Sequence, residues 1–313
     1  MILFNFRLTS SHLLLVVLVF ISFLLMPLNS AFATDPTVVS PLSEKIVDEG
    51  DGATITLTIS NVSVGTQTDR LLVVSVSLDQ QAAPVPTVSS VTFGPTGTSC
   101  VSTNQSFTQV SSSTSVVSNK VRNEFWYLTA PSASKTCDVI VTLTNSVGAV
   151  GSNSAHAVSV LFSGVDQSTP IDNTATATGT STTPSVTISD DANHIILDVM
   201  STIDAGGAPT LPPNQNSQGI HTQCCNFASG TSTSASSHNG DPDMNWTIGN
   251  NIWAISAIAI LSSPALSVGH NSGSGCSGDC TPPTLGLDST DRRIISNGFS
   301  YNGKSVNVES YYT

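Results

Sequence analysis

Oxygen-bearing side chains suited to a metal ion are concentrated in the acidic, loop-like segments of this sequence. Asp190 and Asp191 lie in one segment, and Asp241 and Asp243 lie in another. Carboxylate oxygens are the ligands that Ca²⁺ prefers. The spacing does not match the EF-hand loop, and acidic loops between strands are common without a metal. The sequence predicts no certain cofactor; calcium is the ion that these segments suit best, and solvated acidic loops without a metal are the alternative.

Aromatic side chains able to stack on a sugar are the second chemical candidate. Glu124 and Trp126 alternate along one run and are expected to share a strand face, while Trp246 follows the acidic segment that ends at Asp243. Exposed rings stack on the C–H surfaces of sugars. The expected ligand-binding side chains are Trp126, Glu124 and Trp246, and Trp246 is the best candidate for an exposed ring. The alternative places Trp126 in the core and Glu124 at a solvated strand position.

Catalytic motifs are absent from the sequence. There is no Gly-x-Ser-x-Gly elbow in a strand–turn–helix setting, no His-Glu-x-x-His and no phosphate-binding glycine loop. Asp198 is the most unusual acid, because Ile196, Leu197, Val199 and Met200 surround it. A carboxylate buried there must be hydrogen-bonded, paired or metal-bound, and exposure at a rim is the alternative. We predict a protein that is not an enzyme.

The sequence contains six cysteines. An even number in an exported chain favours disulfides. The preferred set is Cys100–Cys137, Cys276–Cys280 and a local arrangement of Cys224 with Cys225. A zinc site built from Cys224, Cys225 and His221 is the alternative, although its spacing fits no common finger pattern.

The N-terminus has the pattern of a secretory signal. Arg7 precedes the apolar run Leu13–Met26, and Ala31-Phe32-Ala33 has the form of a cleavage site. We expect export, a mature chain that starts at Thr34 and no later membrane span, with a retained N-terminal anchor as the alternative. The predicted glycosylation sites of such an exported chain are Asn61, Asn104 and Asn245.

The charge balance excludes one class of partner. Only 10% of the residues are charged, and the net charge is −12. Nucleic-acid binding requires clustered Lys and Arg, so we expect no nucleic-acid partner. The expected partners are cell-surface glycans or other surface proteins.

Alternating runs of Val, Ile, Thr and Ser, broken by Gly, Pro, Asn and Asp, indicate an all-β protein. Ala53–Ser60 alternates with Ile55, Leu57 and Ile59 facing inward. Ile252–Leu261 is almost entirely apolar, which is typical of a strand buried on both faces. We predict an antiparallel β-sandwich of jelly-roll type.

Two later stretches have weaker patterns. Residues 203–230 read as loops. Thr231–His238 reads as a polar edge strand that could pair between copies of the chain.

The composition predicts four regions. They are a signal peptide (1–33), a β-sandwich domain (34–265), a Gly/Ser/Cys linker (266–283) and the β-hairpin start of a second module cut short (284–313). In the last region two extended runs flank Asn302-Gly303, which is a hairpin signal.

Several segments resemble a β-sandwich module of exported bacterial and archaeal proteins. They are RLLVVSVSLD (70–79), SSVTFGP (89–95), FWYLTAP (125–131), VIVTLT (139–144), VSVLFSGVDQSTPI (158–171) and WAISAIAIL (253–261). The tail segments CSGDCTPPTLGLD (276–288) and ISNGFSYNG (295–303) resemble surface proteins of ammonia-oxidising archaea. The resemblance implies a secreted or surface-attached protein and no particular activity.

The sequence therefore predicts a non-enzymatic, extracellular structural or adhesive module. A carbohydrate-binding module is the alternative. A hydrolase whose catalytic part lies outside this chain is a third and weaker hypothesis.

Overall fold

The computed structural model describes residues 35–47, 54–80, 85–147, 153–189, 194–203, 208–222, 227–234, 243–264, 299–301 and 304–306. The described residues before 265 belong to one compact unit, Ala33–Pro264. In the remaining unit, Phe299–Tyr301 pairs antiparallel with Lys304–Val306, as predicted for the runs on either side of Asn302-Gly303.

Almost all regular structure in the compact unit is extended. Its first ten strands are β1 (Thr37–Val47), β2 (Thr54–Val64), β3 (Leu71–Gln80), β4 (Val88–Phe93), β5 (Gln105–Ser106), β6 (Thr108–Gln109), β7 (Ser115–Val117), β8 (Val121–Thr129), β9 (Lys135–Val147) and β10 (Asn153–Ser163). The next seven are β11 (Ile171–Ser181), β12 (Ser185–Thr187), β13 (His194–Ile203), β14 (Gln215–Thr222), β15 (Phe227–Ser234), β16 (Asp243–Asn245) and β17 (Asn251–Leu261). The two strands of the other unit are β18 (Phe299–Tyr301) and β19 (Lys304–Val306). No helix in these described ranges is long and apolar enough to cross a membrane.

The first ten strands form a jelly roll of two sheets. The central sheet has the order β1-β10-β3-β8-β6, with β7 also on β8, and the N-terminal outer sheet has the order β2-β9-β4-β5. The chain passes repeatedly from one sheet to the other. Within the central sheet β1 pairs with β10 and β3 with β8, and within the N-terminal outer sheet β2 pairs with β9, all antiparallel. This rolled-up hairpin is the jelly-roll arrangement, so the predicted fold class is confirmed.

A third sheet covers the other face of the central sheet. This C-terminal outer sheet has the order β11-β17-β13-β15-β14, and the pair β12–β16 covers its far side. The sandwich therefore has three stacked sheets, where the sequence predicted two facing layers. Because the central sheet has a sheet on each side, β3 is buried throughout the Leu71–Asp79 stretch.

Three apolar clusters fill the spaces between the layers. Leu72, Val74 and Val76 of β3 pack against the N-terminal outer sheet, while Leu71 and Val73 pack against the C-terminal outer sheet. The third cluster lies under β12–β16. Each fully buried Val or Leu contributes roughly 1.5–3 kcal/mol to the free energy of unfolding. The prediction that Ile252–Leu261 is buried on both faces is confirmed, since β17 is buried from Trp253 to Ile260.

The Gly164–Pro170 turn joins the jelly roll to the C-terminal outer sheet. Gly164 adopts φ +73°, a left-handed conformation that favours glycine. The Asp166 carboxylate accepts hydrogen bonds from the backbone N–H groups of Ser168 and Thr169, at 2.7 and 2.8 Å. The turn also bonds to Leu261, the last residue of β17. The Asp166 backbone N–H donates to the Leu261 backbone oxygen, and the Leu261 backbone N–H donates to the Pro170 backbone oxygen, both at 3.0 Å. It thereby holds β11 beside β17.

Two predictions about the C-terminal part of the compact unit are wrong. Residues 203–230 are not simply loops, because they include β14 and the start of β15. Thr231–Ser234 is not at an edge, since β15 lies between β13 and β14 and is buried along its whole length. Its hydroxyls bond inside the protein, as in the 2.7 Å contact of Thr231 with Ser75. The edges of this sheet are β11 and β14, and residues 235–238 lie outside the described part.

The inward position predicted for Ile55 is also wrong. Leu57 and Ile59 are buried, but the Ile55 side chain is 54% exposed. The β2–β9 register shifts between Thr54 and Thr56, and this irregularity breaks the alternation of faces.

The predicted Cys100–Cys137 disulfide is present. It links the segment after β4 to β9 in the N-terminal outer sheet. Cys224, Cys225, Cys276 and Cys280 lie outside the described residues, so their pairing stays a prediction.

Replacing Cys100 and Cys137 together by alanine is expected to lower the free energy of unfolding by about 4 kcal/mol, because the unfolded chain loses a long closed loop. The bridged residues are 37 positions apart in the chain. Urea unfolding followed by tryptophan fluorescence measures the change. Equal midpoints for the wild-type and double-variant proteins would contradict it.

Candidate functional site

Glu124 and Trp126 are buried beneath the N-terminal outer sheet instead of facing a ligand. Their exposed fractions are 0% and 8%. The Glu124 carboxylate accepts hydrogen bonds from the Trp126 indole N–H at 3.1 Å and from the Gln109 amide at 2.8 Å. Arg122 forms an ion pair with it at 2.5 Å. The predicted sugar-facing patch is therefore wrong, and these residues form an internal polar cluster.

Trp246 is also buried, with 1% of its surface exposed, so the prediction of an exposed ring is wrong. The ring lies directly on Gly230 of β15, where a β-carbon would be 2.3 Å from a ring carbon. Strand β16 follows the acidic segment and covers the C-terminal outer sheet, which places the next residue, Trp246, inside. Its indole N–H donates to the Asp198 carboxylate at 2.5 Å.

Asp198 is fully buried, and its environment matches the expectation for a satisfied internal acid. Ser232 donates both its hydroxyl and its backbone N–H to Oδ1, and Trp246 donates to Oδ2. Burial raises the pKa of Asp198 to about 7, although the hydrogen bonds from Ser232 and Trp246 oppose the shift. The carboxyl group therefore exchanges a proton near neutral pH.

A primary amide completes this internal site. The Gln215 amide N–H donates to Ser232 Oγ at 2.8 Å, and the Asn245 backbone N–H donates to Gln215 Oε1 at 2.8 Å. Four strands position the groups: β13 carries Asp198, β14 carries Gln215, β15 carries Ser232 and β16 carries Asn245. The site thus brings a hydroxyl, a carboxyl and a polarised amide together in the protein interior.

A second chain of polar groups has the residue types of a hydrolase triad. His156 Nδ1 lies 2.7 Å from Ser229 Oγ, and its Nε2 lies 3.1 Å from Glu44 Oε2. The hydrogen bond from His156 lowers the pKa of Glu44. In a hydrolase the hydroxyl faces the substrate, whereas here Ser229 is fully buried and the Glu44 side chain is 43% exposed. These hydrogen bonds link β10 of the central sheet to β15 of the C-terminal outer sheet.

A third polar group also joins the central and C-terminal outer sheets. The Asn123 side-chain oxygen accepts hydrogen bonds from Ser77 at 3.0 Å and from Ser201 at 2.6 Å. Its amide N–H donates to the backbone oxygen of Ala254 at 2.9 Å. All of these side chains are buried, and each hydrogen bond offsets the cost of removing a polar group from water.

An open cleft lies where the edge of the central sheet meets β11, and its volume is about 280 Å³. Its lining includes Gln109, Ser111, Tyr127, Asp172, Asn173 and Thr174. The Asp172 side chain is 44% exposed and lies 3.4 Å from Nε2 of the buried His194. The cleft therefore combines a partly exposed ring with a carboxylate, amides and hydroxyls, which are groups that bind sugars.

The predicted calcium ligands are only partly visible. Asp190, Asp191 and Asp241 lie outside the described residues. Asp243 is exposed at the start of β16, and its carboxylate accepts a hydrogen bond from Thr187. Within the described part of the chain, no three His, Cys, Asp or Glu side chains are grouped so that they could hold a metal ion. Calcium binding stays a prediction.

The three predicted glycosylation sites differ in their surroundings. Asn61 and Asn104 are exposed. Asn245 is half-buried, and its amide N–H donates to the backbone oxygen of Asp243 at 3.0 Å. Asn61 and Asn104 are therefore the more accessible of the three.

Sequence reasoning did not identify Gln215, Ser232 and Tyr127. Gln215 and Ser232 lie in stretches rich in Ser, Thr and Asn, where neither residue is distinctive. Tyr127 lies beside Trp126 in the aromatic run, and strand alternation alone placed the two rings on opposite faces. That alternation was the available signal for a partly exposed ring.

The stability of the protein should depend on pH through Asp198. Burial raises the pKa of Asp198 from 3.8 to about 7, so the protonated carboxyl group favours the folded state. This contribution to the free energy of unfolding is complete below pH 4 and is lost as pH rises to about 7. The loss amounts to as much as about 4 kcal/mol in the free energy of unfolding. We expect Asp198→Asn to flatten this part of the pH profile in urea unfolding, and Asp243→Asn, at an exposed acid, to leave it unchanged. Parallel profiles for the wild-type and Asp198→Asn proteins would contradict the assignment.

Comparisons of the chain with protein-family models, with curated proteins and with solved structures found no match. The polar arrangements of the described residues that bear on function are the internal Asp198 site, the links between the sheets and the Tyr127 cleft.

Proposed function

We propose that this chain is an extracellular structural or adhesive module of a secreted or cell-surface protein. The observation that carries the proposal is the set of buried hydrogen bonds that ties the jelly roll to the C-terminal outer sheet. These bonds run through Asn123, His156 and Ser75. A buried network whose members are all paired favours one rigid arrangement of the sheets, which suits a module that holds its shape outside the cell.

The cysteine chemistry supports an extracellular setting. The Cys100–Cys137 disulfide belongs to the described fold. Disulfides form and persist in oxidising compartments, and they are rare in the cytosol. The predicted leader, residues 1–33, lies outside the described residues and supports the same setting through its sequence pattern alone.

Fractionation of cells that produce the full chain tests this proposal. We expect the protein outside the cytoplasm, with Thr34 as its first residue and with Cys100 and Cys137 oxidised. N-terminal sequencing and thiol labelling measure these features, and a chain that lacks residues 1–33 is the control. A cytoplasmic protein with an intact leader and reduced cysteines would overturn the proposal.

Carbohydrate binding is the second candidate function, and the Tyr127 cleft favours it. The ring is partly exposed, and hydrogen-bonding side chains surround it. A half-buried ring offers a sugar its face, while Asp172 accepts hydrogen bonds from sugar hydroxyls. This site adjoins two of the side chains that the sequence suggested, because Tyr127 follows Trp126 in β8 and Gln109 of the lining donates to Glu124.

A glycan array probed with the purified full chain tests this second function. If the cleft binds a sugar, Tyr127→Ala should weaken binding roughly two- to tenfold, because ring stacking contributes roughly 0.5–1.5 kcal/mol. Ser90→Ala, at an exposed position of the N-terminal outer sheet, is the matched control. Binding that is unchanged in Tyr127→Ala would place the sugar elsewhere, and an array without retained ligand would remove this candidate.

A further inference from the structure

The buried hydroxyl of Ser232 lies between an acid and a primary amide. Ser232 is directly opposite Asp198 in the β13–β15 pairing. Gln215 pairs with Ser234, so it is the diagonal neighbour of Ser232 on the adjacent strand. All three side chains are buried. The strand register therefore holds a nucleophile, a base and an electrophile in contact.

The acid is placed to activate the hydroxyl. The Ser232 hydroxyl donates its proton to Asp198 Oδ1, and the Ser232 backbone N–H donates to the same oxygen at 3.1 Å. The Trp246 indole N–H holds the other carboxylate oxygen at 2.5 Å, which fixes the direction of Oδ1. A hydroxyl that bonds to a neighbouring carboxylate is a nucleophile paired with its general base.

The amide is held as an electrophile. Its nitrogen lies 2.8 Å from Ser232 Oγ, which holds the amide group against the hydroxyl that would attack its carbonyl carbon. The Asn245 backbone N–H donates to the carbonyl oxygen at 2.8 Å. A backbone donor at this position stabilises the negative charge that develops on the oxygen during attack.

From this arrangement we propose that the protein forms an ester cross-link between Ser232 and Gln215 by its own chemistry. Ser232 Oγ attacks the Gln215 side-chain carbon, and Asp198 takes the hydroxyl proton. The bond between that carbon and the amide nitrogen breaks, and Asp198 returns the proton to the nitrogen, which leaves as ammonia. One hydroxyl and one primary amide become one ester and one ammonia molecule, without an oxidant or another reactant.

The position of the cross-link explains what it contributes to the fold. It joins β14 to β15, and β14 is an edge strand of the C-terminal outer sheet. An edge strand is bonded to one neighbour only, so it is the strand most easily separated from a sheet. Burial of the site keeps water from hydrolysing the ester. This inference rests on the contacts of the internal site and does not require the proposed function.

A neighbouring pair provides a matched control. The Gln218 amide N–H donates to Thr233 Oγ1 at 3.0 Å, and both side chains are buried. This contact resembles that of Gln215 with Ser232. The Asp198 carboxylate is bound to other groups, since its two oxygens accept hydrogen bonds from Ser232 and Trp246. The cross-link is therefore assigned to Ser232 and not to Thr233.

Mass spectrometry of the full chain tests the proposal. After reduction of disulfides, we expect a mass about 17 Da below that of the processed sequence, because one ammonia is lost per ester. Chymotryptic cleavage after Phe227 separates Gln215 from Ser232 in an uncross-linked chain, so a joined peptide locates the bond. Ser232→Ala and Asp198→Asn should restore the full mass, while Thr233→Val should keep the loss.

A second measurement is independent of whether the variants fold. Hydroxylamine cleaves esters, so treatment of the denatured wild-type protein should separate the joined peptides and leave a hydroxamate at position 215. An unmodified mass in the folded wild-type protein would overturn the proposal. A mass loss that persists in folded Ser232→Ala, or a joined peptide that resists hydroxylamine, would overturn it equally.

Discussion

Burial of the central sheet on both faces is the constraint on which the rest of this structure depends. Because no face of β3 meets water, its apolar side chains divide between two cores, and its polar side chains must find partners across the interfaces. Ser75 bonds to Thr231, and Ser77 bonds to Asn123. Thr231 belongs to the C-terminal outer sheet, while Asn123 lies beside Ser77 in the central sheet and bonds in turn to Ser201 and Ala254 of that outer sheet. The position of the C-terminal outer sheet is therefore set by hydrogen bonds as well as by apolar packing.

The same constraint explains where the chemistry of this protein lies. Residue types that often act in catalysis and binding lie inside this protein, where each is hydrogen-bonded to another side chain. The pairs are Glu124 with Trp126, His156 with Ser229, and Asp198 with Ser232. A low-dielectric interior strengthens such pairs, and burial also raises the pKa of Asp198. A self-directed reaction suits such a site, whereas a reaction on an external substrate requires access. The open cleft beside Tyr127 is a different kind of site, because Ser111 and Asp172 in its lining are exposed.

Much of the fold could be predicted from local patterns. Alternation identified the strand that contains Leu57 and Ile59, and the continuous apolar run identified β17 as buried on both faces. The prediction failed for β15, because its Ser and Thr residues look like a solvent-exposed strand. The burial of a hydroxyl-rich strand is therefore ambiguous from its sequence. A buried hydroxyl that is hydrogen-bonded to another sheet costs little free energy relative to a hydroxyl that is hydrogen-bonded to water.

The sequence by itself determined the extended backbone and the two-residue alternation of faces, and it favoured the pairing of Cys100 with Cys137, which the tertiary structure decided. It also indicated that a buried Asp198 would require partners, because its neighbours are apolar. Only the tertiary structure decided which partners these are, since Ser232 and Trp246 are 34 and 48 residues away along the chain. The physical reason is that alternation assigns a side chain to a face, while the number of sheets stacked on that face depends on long-range packing. That packing buried Trp126, Trp246 and Glu124 and left Tyr127 at the surface.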